Sequence, residues 1–378
     1  MIAVDYINRA RGKVYLFLLS PISAEDFLKI KNIDILKKNG TTIDLRNFIF
    51  MEPGNAITQV LTGCNPGSVG FLDIASDCLK FKKSEGFNKT VLSLLTERGF
   101  SVEVSINKIP EGHADFSFIY LSDLQLIDEI LDRAMKDECY IFLIPPVFEE
   151  YVEKAVNINN FLREKEIIEI NSEGQIVWEN SLAYQKEYGQ IWINLIGREP
   201  QGAVSPGEEY NEVRDALIKG ITNKLTDDQN GEAVIERVYK KEELFEGTFI
   251  SQMPDLIVSL RQGYGFSHAE NEPCFDVSAV CKRKTKAYTV GSGAIAGEKI
   301  KQDCEGKDVA ITSIVPSILY CMGSPIPSWM DGKVEEQIFT ENSLSEASPK
   351  YEHDEDSPAL SEQDEDLIKD RLKELGYL

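Results

Sequence analysis

Gly189–Pro206 reads GQIWINLIGREPQGAVSP, and it sets a strand, a turn and a helix in immediate succession. Gln190 to Leu195 is apolar enough for a buried strand. Gly197, Pro200 and Gly202 then break the chain, and Glu208 to Leu225 has the length and spacing of an acidic helix. Beyond it, Leu256 to Leu260 predicts a further strand, followed by Gly263 and Gly265.

The N-terminal half repeats this alternation. Lys13 to Leu19 carries an unbroken apolar run closed by Ser20-Pro21, the pattern of a strand buried on both faces. Ser23 and Asp26 stand as a helix cap, and Phe27, Ile30, Ile33 and Leu36 follow at helical spacing up to Asn39-Gly40. The pattern then predicts strands over Thr42–Phe50, Ser101–Ile106, Phe116–Leu121 and Tyr140–Ile144. Helices are expected from Gly54, over Phe87–Arg98 and over Leu124–Lys136, with a hairpin turning at Glu173-Gly174 and an apolar helix over Ile314–Cys321. Strands alternating with helices predict an α/β fold with a mostly parallel, doubly wound central sheet and helices on both faces. No internal repeat is visible.

The expected organisation is one α/β domain over 1–339, with 148–250 an inserted or cap-like subregion. An acidic Ser/Glu/Asp/Pro-rich linker is expected over 340–362, and a helix over 363–378 through Leu367, Ile368, Leu372 and Leu375.

Composition narrows the function classes. The 378 residues are 42% hydrophobic, enough for a large core, and carry a net charge of −23. A surface this acidic repels phosphate backbones and anionic lipid, so neither nucleic acid nor membrane is an expected partner. The apolar run Val14–Leu19 is far short of the ~18 residues of a membrane span, and no cleavable signal pattern precedes it. The seven cysteines, Cys64, Cys78, Cys139, Cys274, Cys281, Cys304 and Cys321, form no Cys-x-x-Cys pair. Reduced thiols and a cytoplasmic location are expected.

Ligands of open parallel sheets bind at the carboxyl ends of the strands. Those ends read Ser20-Pro21, Glu52-Pro53-Gly54, Ser122-Asp123 and Pro145-Pro146-Val147. Two of the four offer no side chain able to hold a divalent metal. The three histidines, His113, His268 and His353, sit in loops or in the acidic tail, where surface histidines are the simpler reading. TGCNPG (Thr62–Gly67) is glycine-rich but lacks the lysine and spacing of a phosphate loop, so a turn is expected. Cys64 has no histidine nearby to activate it, and Arg198-Glu199 reads as a structural ion pair.

Several blocks in order resemble the type I phosphodiesterase/nucleotide pyrophosphatase family of the alkaline phosphatase superfamily. They are WENSLAYQKEYGQIWINLIGREPQGAVSPGEEYNEVRDALI from Trp178, PDLIVSLRQGYG from Pro254, SIVPSILYCMGSPIPSWMDGKVEEQIF from Ser313, and DLIKDRLKELGYL at the end. The resemblance implies an alkaline-phosphatase-like fold and, in active members, hydrolysis of phosphate or sulfate esters with two divalent metals held by Asp and His.

It also implies where those groups stood. The first metal-binding Asp falls at Ser20 of LLSP, and the nucleophile ahead of TGCNPG falls at Pro53 or Gly54. An Asp-His pair falls at Gln125 and Glu129, a second at Pro145 and Pro146, and the last His at Arg283. Each ligand set is thus replaced. The expected function is a catalytically degenerate member with a binding, scaffolding or regulatory role. The alternatives are a rebuilt metal-independent site for an anionic substrate and, behind it, a metal-dependent phosphoric ester hydrolase. No metal and no cofactor is expected; a protein or a small anion is the expected partner, with Lys282, Arg283 and Lys284 the anion contacts.

Overall fold

The computed structural model describes residues 12–46, 53–69, 89–110, 113–173, 175–186, 188–227, 229–267 and 279–352. In chain order the strands are β1 (Lys13–Leu19), β2 (Gly40–Arg46), β3 (Val102–Ile106), β4 (Phe116–Leu121) and β5 (Cys139–Ile144). They continue as β6 (Val147–Val156), β7 (Ala183–Gln185), β8 (Gln190–Ile193), β9 (Ile235–Lys240), β10 (Leu256–Leu260), β11 (Tyr264–Phe266), β12 (Val280–Val290), β13 (Ser292–Ala296) and β14 (Cys304–Ala310).

The chain divides into two compact units. The described residues up to 150, with 245–251 and 288–352, form the first; 151–244 and 252–287 belong to the second. The range read from sequence as one domain with an inserted or cap-like subregion at 148–250 is spanned by these two units, and the second has a hydrophobic core of its own.

In the first unit a seven-stranded sheet runs β14-β2-β13-β5-β1-β4-β3. Neighbours are parallel except at β13, which lies antiparallel between β2 and β5. β1 lies inside the sheet, between β5 and β4, and every residue from Val14 to Leu19 is buried. Strand alternation sends Val14, Leu16 and Leu18 to one face, where they join Val60 and Leu61 of the helix Pro53–Thr62, Leu95 of Val91–Glu97 and Ile318 of Ile314–Cys321. Tyr15, Phe17 and Leu19 take the other face, with Phe27, Ile33, Leu36, Ile127 and Leu131 from the helices on that side. Helices thus cover both faces of a mostly parallel sheet.

Local chemistry fixes the helix ends. Ser23 accepts a hydrogen bond from the amide of Asp26, as the cap pattern predicts. Thr90 and Ser93 form a reciprocal capping box, so the helix expected from Phe87 begins at Val91. The strand expected to start at Thr42 starts at Gly40, and its expected end at Phe50 lies outside the described residues.

The segment from 340 is not wholly a linker. Thr340 caps a helix over Glu341–Glu346, Leu344 packs on the core, and Tyr351–Glu352 pairs with Ile326–Pro327. Arg98 then holds Glu352 at 2.8 Å. Composition concealed this, because one leucine and one ion pair are enough to dock a short polar segment. The expected helix over 363–378 lies outside the described residues.

The second unit holds a four-stranded sheet, β7-β8-β10-β9, whose pairs are antiparallel. Ile191, Ile193, Leu256 and Val258 pack with Tyr210, Leu217 and Ile221 of the helix Glu208–Lys224. A second sheet sets β6 between β11 and β12. The expected hairpin is present as a bridge between Ile170 and Ile176.

Two-sided burial gives a direct test. Phe142→Ala, at a fully buried position, should cost about 3–5 kcal/mol in denaturant unfolding. Leu28→Ala, 61% exposed, should stay within about 0.5 kcal/mol of the parent protein.

Candidate functional site

The rim at the carboxyl ends of β1, β2, β4 and β5 is the place where this topology offers a site. Its chemistry is sparse. Ser20 is half-buried and donates its amide to Leu121 O at 2.8 Å. Pro53 opens its helix, and the carbonyl of Gly54 accepts Thr58 Oγ1 at 3.0 Å. Asp123, the carboxylate at the end of β4, caps the next helix by accepting the amide of Gln125 at 2.9 Å. Gln125 and Glu129 are exposed on that helix, with Glu129 3.3 Å from Arg133. Pro145 and Pro146 are buried, and the chain continues from them straight into β6, where Glu149 donates its amide to Ile22 O at 2.9 Å.

Among the described residues, no three His, Cys, Asp or Glu side chains come together as a metal site. The Ser, Gly and Pro present at the rim do not fit the two-metal set that the resemblance implies, since none supplies a carboxylate or an imidazole. His113 is exposed; His268 and His353 lie outside the described residues.

TGCNPG forms a turn whose amides are occupied from within the protein. Gly63 N–H reaches Gln59 O at 2.9 Å, Cys64 N–H reaches Thr62 Oγ1 at 3.2 Å and Asn65 N–H reaches Asp331 Oδ2 at 2.6 Å. Gly67 N–H reaches Asn65 Oδ1 at 2.8 Å and Ser68 N–H reaches Asn65 O at 2.9 Å. A phosphate loop needs such donors directed at its ligand, so the turn reading holds. Gly67 is required there: a Cβ would lie 2.4 Å from Glu246 O. Burial, followed by the nearby charge of Asp331, pushes the Cys64 thiol up to about 12, far from a nucleophilic thiolate.

The basic segment is part of β12, and Lys282, Arg283 and Lys284 are all exposed. Strand alternation puts Lys282, Lys284 and Lys286 on one face and Arg283 on the other. Lys284 and Lys286 stand 4.6 and 5.8 Å from the ring of Tyr151. On β6 the alternation gives the Tyr151 face Glu149 and Glu153 as well. The three expected anion contacts therefore do not converge from one side.

The densest polar constellation is one that motif reading did not find. Asp255, fully buried, accepts both terminal nitrogens of Arg198 at 3.0 and 2.6 Å. It also accepts Tyr210 Oη at 2.7 Å, Ile193 N–H at 2.8 Å and Lys241 Nζ at 3.0 Å. Burial alone would raise its pKa, but the Arg198 hydrogen bonds and the charges of Lys241 and Arg198 hold the carboxyl below the usual range. Arg198 also pairs with Glu199 at 3.1 Å and lies 5.1 Å from the Trp192 ring. Arg198-Glu199 is thus part of a structural network, as the ion-pair reading expects. A polar residue placed just before the apolar run Leu256–Leu260 is the trace that sequence leaves of it.

No protein-family model matches the chain, and no curated protein matches it. Solved structures do. Murine ectonucleotide pyrophosphatase/phosphodiesterase 5 aligns with TM-score 0.55 and 9% identity, over 87% of this chain and 100% of that one. An inactive variant of the murine protein in complex with AMP aligns with TM-score 0.54, 9% identity and the same coverage. The human protein aligns with TM-score 0.52 and 10% identity, over 82% of this chain and 95% of that one. The chain therefore has the alkaline-phosphatase-like α/β fold of these structures, as the resemblance implies. No helix among the described residues is long and apolar enough to cross a membrane.

Two measurements test the Asp255 network. Arg198→Ala leaves a buried carboxylate short of its bidentate partner and should cost about 3–5 kcal/mol. A carboxyl with a depressed folded-state pKa stabilises above its ordinary value of about 3.9 and loses that contribution as pH falls through the folded value. The stability gap between the parent protein and Asp255→Asn should therefore be full at pH 6 and narrow below about pH 4. A gap constant down to pH 2 would contradict an ionised Asp255.

Proposed function

We propose that this chain is a catalytically degenerate protein on the phosphodiesterase/nucleotide pyrophosphatase fold, acting by binding, scaffolding or regulating a partner. The rim of the first unit carries this reading. Ser20, Gly54 and Pro145-Pro146 stand where the resemblance implies metal ligands and a nucleophile, and Asp123 is engaged as a helix cap.

The chemistry makes the reading quantitative. Phosphate-ester hydrolysis depends on stabilising charge at the transferring group and on a positioned nucleophile, together worth well over about 8 kcal/mol of barrier. A prolyl ring has no hydroxyl to offer, and neither serine nor glycine replaces a divalent cation. The split of Lys282 and Lys284 from Arg283 across two faces of β12 favours a protein partner over a small anion held by all three.

The test is turnover by the full chain on a chromogenic phosphodiester and a nucleoside triphosphate, each with added Zn²⁺, Mn²⁺ or Mg²⁺ and again with chelator. Elemental analysis of the same preparation accompanies it. The expected result is no rate above buffer and no stoichiometric metal. Metal-dependent turnover, lost on substituting Ser20 or Gly54, would overturn the reading in favour of a metallohydrolase. Turnover surviving the chelator would overturn it in favour of a rebuilt, metal-independent site.

A further inference from the structure

We propose that Gly291 is a metal-free staple, joining through backbone hydrogen bonds the exits of β2 and β5 at the rim where the resemblance implies a nucleophile and metal ligands. The inference rests on the degenerate-site reading and says how the rim keeps its shape without an ion.

The geometry is specific. β13 enters the sheet between β2 and β5, antiparallel to both. Extending its register with β2 by one step places Gly291 opposite Leu45, and extending its register with β5 by three steps places it opposite Pro146. Gly291 N–H donates to Pro146 O at 3.2 Å, and Gly291 O accepts Leu45 N–H at 3.1 Å. One residue, through the two peptide groups that flank its Cα, thus ties the exit of β5 to the exit of β2, the strand that leads on to Pro53 and Gly54. A proline at 146 keeps its carbonyl for this bond while lacking an N–H, so the exit presents an acceptor alone.

Only glycine fits. A Cβ at 291 would lie 1.8 Å from Pro145 O and 2.8 Å from Pro146 C. Gly293, two residues on, is nearly as confined, with Leu143 O at 2.8 Å from its Cβ position. The backbones of β5 and β13 therefore approach too closely at the rim for a side chain to stand between them. The link between the two ends is thus main chain to main chain.

Thermal unfolding of the full chain tests this. Gly291→Ala should lower the midpoint by about 5 °C or more. Gly220→Ala, in a helix with nothing within 4 Å of the added methyl, should not lower it. Chelator, Zn²⁺ or Mn²⁺ should leave the parent midpoint where it was. The proposal is overturned if Gly291→Ala melts with the parent, or if chelator alone lowers the parent midpoint as far as Gly291→Ala does. Should Gly291→Ala fail to accumulate folded, hydrogen exchange on the parent protein decides. The amides of Gly291 and Leu45 should exchange as slowly as those of β1, and exchange at loop rates would sink the staple. These readouts are independent of turnover, so the staple can fail while the protein remains inactive, and activity can appear with the staple intact.

Discussion

The first unit depends on the burial of β1 from both sides at once. Each residue from Val14 to Leu19 is enclosed, and alternate side chains feed two separate hydrophobic clusters. Neither helical layer can form its core without this strand, and the strand has no solvent-facing side on which to hide a polar residue. Parallel sheets covered on both faces generally show such unbroken apolar runs. That is why a six-residue stretch identifies the architecture before any motif is considered.

What the sequence made legible follows from the range of the forces involved. β1, β4, the helix Ile314–Cys321 and the turn at TGCNPG rest on local periodicity and on proline and glycine, and they lie where those signals put them. Element ends needed side-chain detail. Thr90 caps its helix because a threonine hydroxyl satisfies an amide of the first turn. The helix Glu341–Glu346 was hidden by polar composition, since its docking rests on Leu344 and on the distant Tyr320, whose hydroxyl donates to Ser343 O.

In the sequence the candidate site reads as a deficit: prolines at 145 and 146 and a serine at 20 stand where the resemblance implies metal ligands. The long-range polar contacts were not legible, because they join residues far apart in the chain. Asp255 meets Arg198 across 57 positions, and Gly291 meets both Leu45 and Pro146. Lys282, Arg283 and Lys284 are neighbours in sequence, but a strand sends adjacent side chains to opposite faces.

The place of β2 in the sheet has a consequence for synthesis. Its partners are β13 and β14, and β13 begins at Ser292. At translation rates of about 5–20 residues per second, β2 leaves the ribosome on the order of 10–50 s before its first partner exists. During that interval two strand edges rich in Thr, Ile and Leu stand unpaired beside a growing chain, and every residue of the second unit's described segments is made in the meantime. Of the last two strands of this sheet to emerge, β13 closes its interior between β2 and β5, and β14 adds its edge beside β2. Nascent chains that stall before residue 292 therefore carry an open seam, and chaperone capture or mispairing should concentrate there.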